Sequence, residues 1–219
     1  MSTPSSNTDI LSLIHSSSDE DLQYRLRTLC TKFSDIFSNE VPIEPANIPP
    51  FNLIVDDLKW KVDKNRAPPR TQSAMKQTEL FKTLQTLISQ GIVEKSQSPH
   101  YSQILMVPKP DGTFRMCVDY RALNDCTADV SWPIPNVAEM FRRIGSQKPN
   151  IFGIMDLSQG YHQAPLILAT RAYTSFITFS GVYQSTRLPF GPKRAPSYFQ
   201  QIMATVVLTG LIYMICEIY

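Results

Sequence analysis

Asp156 closes an apolar run, IFGIMD, and is followed at once by LSQGYHQ. A carboxylate at such a strand end either caps the turn that follows or is held out for a ligand, because burying it unpaired is costly. No basic residue adjoins it in sequence. A second stretch, LPFGPKRAPSYFQQ from Leu188 to Gln201, sets Gly191 in a tight loop, then Lys193 and Arg194, then Pro196 in the first turn of a predicted helix. Glycine and two cations at a helix start suit contact with bases and phosphates, and they equally suit an ordinary loop with a capped helix. A third stretch, VPKPDGTFRMCVDY, joins two apolar runs through a Pro-Asp-Gly turn and carries Lys109 and Asp111 at its tip.

These groups need a frame. The third stretch reads as a β-hairpin between Ile104 and Tyr120, and IFGIMDL as a short buried strand ending in Asp156. Leu22, Leu26, Leu29, Phe33 and Ile36 recur at helical spacing behind Ser18 and the acids Asp19, Glu20 and Asp21, which predicts a capped amphipathic helix over residues 19–38. VPIEPANIPPF, Val41 to Phe51, cannot continue that helix, since its prolines lack the amide donor; it reads as a linker or an extended strap. TELFKTLQTLISQG places Leu80, Leu84, Leu87 and Ile88 on one helical face and stops at Gly91. A helix is expected from Val137 to Ile144 and another after Pro196. Tyr213 to Tyr219 reads as a buried strand, and residues 1–18 as a disordered tail.

Composition bounds the rest. The chain has 219 residues, 42% apolar and 18% charged, enough for one sizeable core or two small ones. Seventeen prolines against eight glycines favour long irregular connections over tight hairpins. Cys30, Cys117, Cys126 and Cys216 form no C-x-x-C pair, so neither a zinc site nor a disulfide framework is indicated and a reduced, intracellular setting is expected. The apolar run from Ala204 to Tyr219 is too short to span a bilayer, and no membrane partner is expected. Residues 1–58 hold three basic and nine acidic residues, a balance of −6, whereas residues 59–121 hold eleven basic and five acidic, a balance of +6. Such asymmetry fits one segment facing a polyanion, or simply a solvated basic face.

The ordered set VPKPDGTFRMCVDYRALN, MDLSQGYHQ, LPFGPKRAPSYFQ and CEIY resembles the reverse transcriptase of gypsy-type long-terminal-repeat retrotransposon polyproteins, over about residues 30–219. The resemblance implies an α+β right-hand polymerase, with fingers roughly over 60–150 and 165–190 and an incomplete palm from the remainder. Residues 59–219 would form that part, preceded by a helix and a proline-rich linker over 19–58. It assigns Lys109 and Arg115 to the incoming triphosphate, for which a point charge and a fork of donors are the fitting chemistry. Tyr161, five residues past Asp156, matches the aromatic beneath the sugar that excludes a ribose 2′-OH; without the motif it would read as a core aromatic. Phe190 and Gly191 match the loop lying against the nucleotide, and Arg121, Lys193 and Arg194 are assigned to nucleic-acid contact. Pro192 and Arg194 depart from the family, which usually has an apolar residue and Asn there.

The same resemblance implies two Mg²⁺ or Mn²⁺ ions in the complete enzyme, with Asp156 as the catalytic carboxylate and the Leu157 carbonyl as a further ligand. The family's other two acids lie in a Tyr-x-Asp-Asp box whose Tyr matches Tyr219, so the expectation is a chain cut within its catalytic centre, inactive alone and exposing its last strand as a sticky edge. Implied partners are an RNA or DNA template-primer, deoxynucleoside triphosphates and the protease, RNase H and integrase of the polyprotein. The implied location is cytoplasmic, in a virus-like particle, or nuclear. The alternative is a non-enzymatic remnant that binds nucleic acid or a protein partner.

Overall fold

Hydrophobic spacing and turn chemistry account for most elements of the computed structural model, which describes residues 20–36, 42–130, 132–133, 136–149 and 156–209. The chain divides into two units, residues 1–41 and 42–219. The first contains helix α1, Glu20–Lys32, with Glu20 and Asp21 in its first turn and Lys32 in its last, each favourable to the helix dipole. A 3₁₀ turn, Ser34–Ile36, follows. Within the described residues, the helix expected over 19–38 already gives way to this turn after Lys32, where Ser34 favours a helix end. The expected tail 1–18 with its Ser18 cap lies outside the described residues.

The second unit begins at Pro42, so the strap belongs to this body instead of linking to it. Its anchors are explicit: Ala46 N–H donates to Gln163 O at 2.8 Å, Phe51 N–H to Pro165 O at 2.8 Å, and Ile167 N–H to Phe51 O at 3.0 Å. Phe51 and Leu53 are buried, and that burial holds the strap down. Helix α2, Asp57–Trp60, is capped by Asp56, whose carboxylate accepts from Leu58 N and Lys59 N. Helix α3, Ala74–Ser89, starts at the Ser73 cap, buries Leu80 and Leu84, and stops at Gly91 in the left-handed region (φ 66°).

Strand β1, Val93–Lys95, leads to the hairpin of β2, Gln103–Pro108, and β3, Phe114–Asp119, in antiparallel register with Val107 opposite Arg115. At its tip Asp111 Oδ1 accepts from Thr113 N at 2.9 Å and Gly112 takes φ 80°, as the Pro-Asp-Gly signal requires. Helices α4, Arg121–Cys126, α5, Val137–Ser146, and α6, Gly160–Gln163, follow. A 3₁₀ stretch, Leu168–Thr174, then leads into β4, Phe176–Thr178, and β5, Gly181–Ser185. These form an antiparallel sheet in the order β1-β5-β4, and Ser102 bridges to Phe176, tying the hairpin base to it. Helix α7, Ala195–Ile202, carries Pro196 in its first turn and runs into a π turn, Met203–Val207.

The core joins strap, hairpin base and α7: Phe51, Leu53, Trp60, Tyr120, Leu123, Leu188, Phe199 and Met203 pack together. The strand before Asp156 and the strand Tyr213 to Tyr219, with its sticky edge, fall outside the described residues. None of the described helices is long and apolar enough to cross a membrane.

Candidate active site

After Asp156 the chain turns immediately. Asp156 is exposed, and Leu157 next to it uses its carbonyl to accept Gly160 N–H at 3.2 Å, leaving a second lone pair on that oxygen. Gln159 takes the left-handed conformation (φ 49°) at the start of α6, a strain of about 1–3 kcal/mol that the surroundings must hold. At Gly160 a Cβ would meet Phe199 Cζ at 3.0 Å and Leu157 Cβ at 3.3 Å, so the missing side chain lets this turn lie on the ring.

The turn delivers Tyr161 between two rings. It stacks on Phe190 with centroids 4.9 Å apart and planes at 20°, and meets Phe199 at 5.0 Å and 51°. Each such pair contributes about 0.5–1.5 kcal/mol beyond buried area. Burial pushes the Tyr161 phenol up from its ordinary value. Tyr161 therefore packs against the core while Phe190, 59% exposed, leaves the outer face of the pair open to solvent. His162 sets its ring edge-on to Phe190 at 5.2 Å and pairs Nδ1 with Gln159 Oε1 at 3.0 Å. Burial, reinforced by the Arg187 charge, pushes His162 down to about 4.

The loop carrying Phe190 is clamped from α4. Asn124 Nδ2 donates to Gly191 O at 2.9 Å, and Lys193 N–H donates to Asn124 Oδ1 at 2.8 Å. Gly191 has φ 109°, and a Cβ there would meet Tyr120 Cδ2 at 3.0 Å. Pro192 is fully buried behind this loop. Lys193 Nζ pairs with the exposed Asp129 at 2.9 Å, a surface contact weak enough to yield to a phosphate. Arg194 turns to the strap, donating to Asn52 O at 3.2 Å, and burial lowers its guanidinium pKa.

On the hairpin, Lys109 is exposed at the tip and Arg115 is exposed on the face it shares with Leu105 and Val107. Arg121 makes a two-pronged pair with Asp119 at 2.8 and 2.7 Å, and Arg70 approaches the same carboxylate at 3.5 Å. The Arg121 hydrogen bonds hold the Asp119 carboxyl below its usual range.

Of the residues singled out from sequence, Tyr161 and Phe190 are in contact, and Gly191 and Lys193 are joined through Asn124. Asp156 stands on a different turn from the hairpin that carries Lys109 at its tip and Arg115 in β3. Among the described residues no group of three or more His, Cys, Asp or Glu side chains could hold a metal ion.

Residues 107–209 match the family model described as reverse transcriptase (RNA-dependent DNA polymerase). The retrovirus-related Pol polyprotein from transposon 412 of Drosophila melanogaster is 33% identical over 212 residues, covering 94% of this chain and 17% of that protein. The corresponding polyprotein from transposon gypsy is 32% identical over 178 residues, 78% of this chain and 17% of that protein. The chain belongs to the reverse transcriptase family of LTR retrotransposon polyproteins. It spans 17% of the length of these two relatives. A foamy viral protease-reverse transcriptase solved in complex with double-stranded DNA superposes on 96% of this chain and 36% of that one, with a TM-score of 0.72 at 22% identity; the α+β polymerase fold is shared.

Four residues of this site carry little or no signal in the sequence. Nothing in the sequence pattern marks Asn124 or Phe199 for these contacts. His162 was passed over beside Tyr161. Arg187, 3% exposed, had a faint signal: an arginine directly ahead of the apolar LPFG run.

Proposed function

We propose that these residues belong to an RNA-directed DNA polymerase centre that extends a primer on an RNA or DNA template by two-metal nucleotidyl transfer. The observation that carries this reading is the packing of Tyr161 between Phe190 and Phe199, five residues beyond the exposed Asp156. A flat aromatic fixed from both sides can bear a sugar ring and meet a 2′-OH with a rigid edge. The Phe190–Gly191 loop, clamped by Asn124, lies beside it with little freedom to move. Lys109 and Arg115, solvent-facing on the hairpin, suit the triphosphate, where charge builds on the leaving pyrophosphate. Lys193 and Arg121, each in a surface ion pair, suit template-primer phosphates. Arg194 has a structural share in the strap that reduces its part in that contact.

An exposed carboxylate beside a half-used carbonyl is a hard oxygen donor set that fits Mg²⁺ or Mn²⁺. Asp156 and Leu157 O would hold it, and when bound the ions supply activation of the primer 3′-OH and neutralisation of the leaving group. Partners on this reading are template-primer, deoxynucleoside triphosphates and the protease, RNase H and integrase portions of a polyprotein, in the cytoplasm. A polypeptide of these 219 residues alone carries one of the family's three carboxylates and is expected not to synthesise DNA.

The test is primer extension on an RNA template with Mg²⁺ by the full-length protein. Extension with dNTPs is expected; salt-sensitive nucleic-acid binding without any extension would replace this reading by a binding function.

A further inference from the structure

Helix α6, which presents Tyr161, has four residues, Gly160–Gln163. One turn does not hold itself in water, so its position is decided by what grips its carbonyls. Two of them are gripped from outside. Gln163 O accepts from Ala46 N at 2.8 Å, a strap residue. His162 O accepts from Arg187 Nη1 at 3.3 Å, and Arg187 Nη2 donates to the strap carbonyl of Ile43. Arg187 is buried, with no carboxylate among its described hydrogen-bond partners and Glu44 acting on it through charge alone. Leu188 N–H donates to Ala164 O at 3.0 Å, just past α6, and Phe190 follows two residues later. A displacement at Arg187 thus moves both rings of the stacked pair.

We infer that Arg187 is a positioning residue: its buried guanidinium ties the proline-rich strap to the Tyr161 turn, so that the strap sets the seat of the sugar and with it the discrimination between deoxyribose and ribose. A purely structural role makes a different prediction. Replacing the guanidinium by an apolar side chain strands the carbonyls of His162 and Ile43 and lowers stability on either role, whereas only the positioning role also predicts lost discrimination in protein that remains folded. The inference rests on the polymerase reading above.

The test uses the full-length protein with Arg187→Met, Arg187→Lys and Tyr198→Phe, measuring incorporation of dNTPs and rNTPs on an RNA template and melting temperature in parallel. Tyr198→Phe removes a separate strap anchor, the hydroxyl donated to Pro49 O at 2.6 Å. Arg187→Met is expected to raise both the KM for dNTP and the rNTP-to-dNTP usage ratio about tenfold while kcat stays within about twofold, because misplacing a seat costs orientation more than chemistry. Arg187→Lys should recover part of that loss, and Tyr198→Phe should shift the ratio the same way by about twofold. An unchanged ratio in folded Arg187→Met overturns the inference; if that variant fails to fold, an unchanged ratio in Tyr198→Phe does so. Absence of extension by the wild type refutes the polymerase reading itself, while an active wild type with flat ratios refutes the positioning role alone.

Discussion

Gly191→Ala offers a sharp probe of the loop that carries Phe190. The residue sits at φ 109°, where an L side chain is strained by about 1–3 kcal/mol. Its new Cβ would lie 3.0 Å from Tyr120 Cδ2. Tyr120 cannot yield easily, being 2% exposed with its hydroxyl donated to Thr174 O at 3.0 Å, so overpacking adds about 1–3 kcal/mol. Together these give roughly 2–6 kcal/mol, a fall in Tm of about 4–24 °C for a body of this size. The control is Gly112→Ala at the hairpin tip, which has φ 80° but nothing within 4 Å of the added Cβ; it pays the backbone strain without the clash. Thermal melting by circular dichroism of both variants measures the difference. If the two melt within about 1 °C of each other, the Tyr120 contact does not constrain this loop and the argument for a rigid Phe190 fails.

Three further outcomes follow from the same contacts. Asn124→Ala leaves Gly191 O and Lys193 N without their partners and should lose about 1–3 kcal/mol in urea unfolding; an unchanged urea midpoint would show the clamp to be idle. His162 is held near 4 against an ordinary 6.5, so the unfolded chain binds the extra proton and stability should fall as pH drops from about 6.5 to 4. His162→Phe should flatten that slope, and an equal loss of stability between pH 7.5 and 4.5 in the two proteins, from urea titrations, would count against a neutral, half-buried ring. Tyr173 donates to Asp57 Oδ1 at 2.6 Å, and that carboxylate chiefly raises its phenol to about 12; its stabilisation is complete below pH 10 and lost as pH rises towards 12. Tyr173→Phe should remove this alkaline loss, which a pH series of melts would detect.

Local chemistry made part of this molecule legible in advance. The helix that stops at Gly91 and the Pro-Asp-Gly hairpin carry their own stop and turn signals and stand where those put them, although the helix begins at Ala74, ahead of the expected TELF run. The β1-β5-β4 sheet does not: its strands have three, five and three residues, too short for alternation to register, and its pairing of Val93 with Ser185 spans most of the body. The strap read as a linker because prolines forbid helix and sheet, yet Phe51 and Leu53 bury it against residues over a hundred positions away. At the candidate site, motif spacing singled out Tyr161, Phe190 and Gly191 but not what holds them. Asn124 and Arg187 act through long-range hydrogen bonds to backbone carbonyls, and sequence spacing does not encode such partners. Arg194 shows the converse, a cation that reads as nucleic-acid facing and is turned to Asn52 O.

The central claim is that the Asp156 carboxylate serves nucleotidyl transfer. Single-turnover incorporation of one dNTP by full-length Asp156→Asn, an isosteric change at an exposed position, tests it most directly. The account predicts a loss of about 10³-fold or more with template-primer affinity retained. Incorporation at the wild-type rate would contradict it.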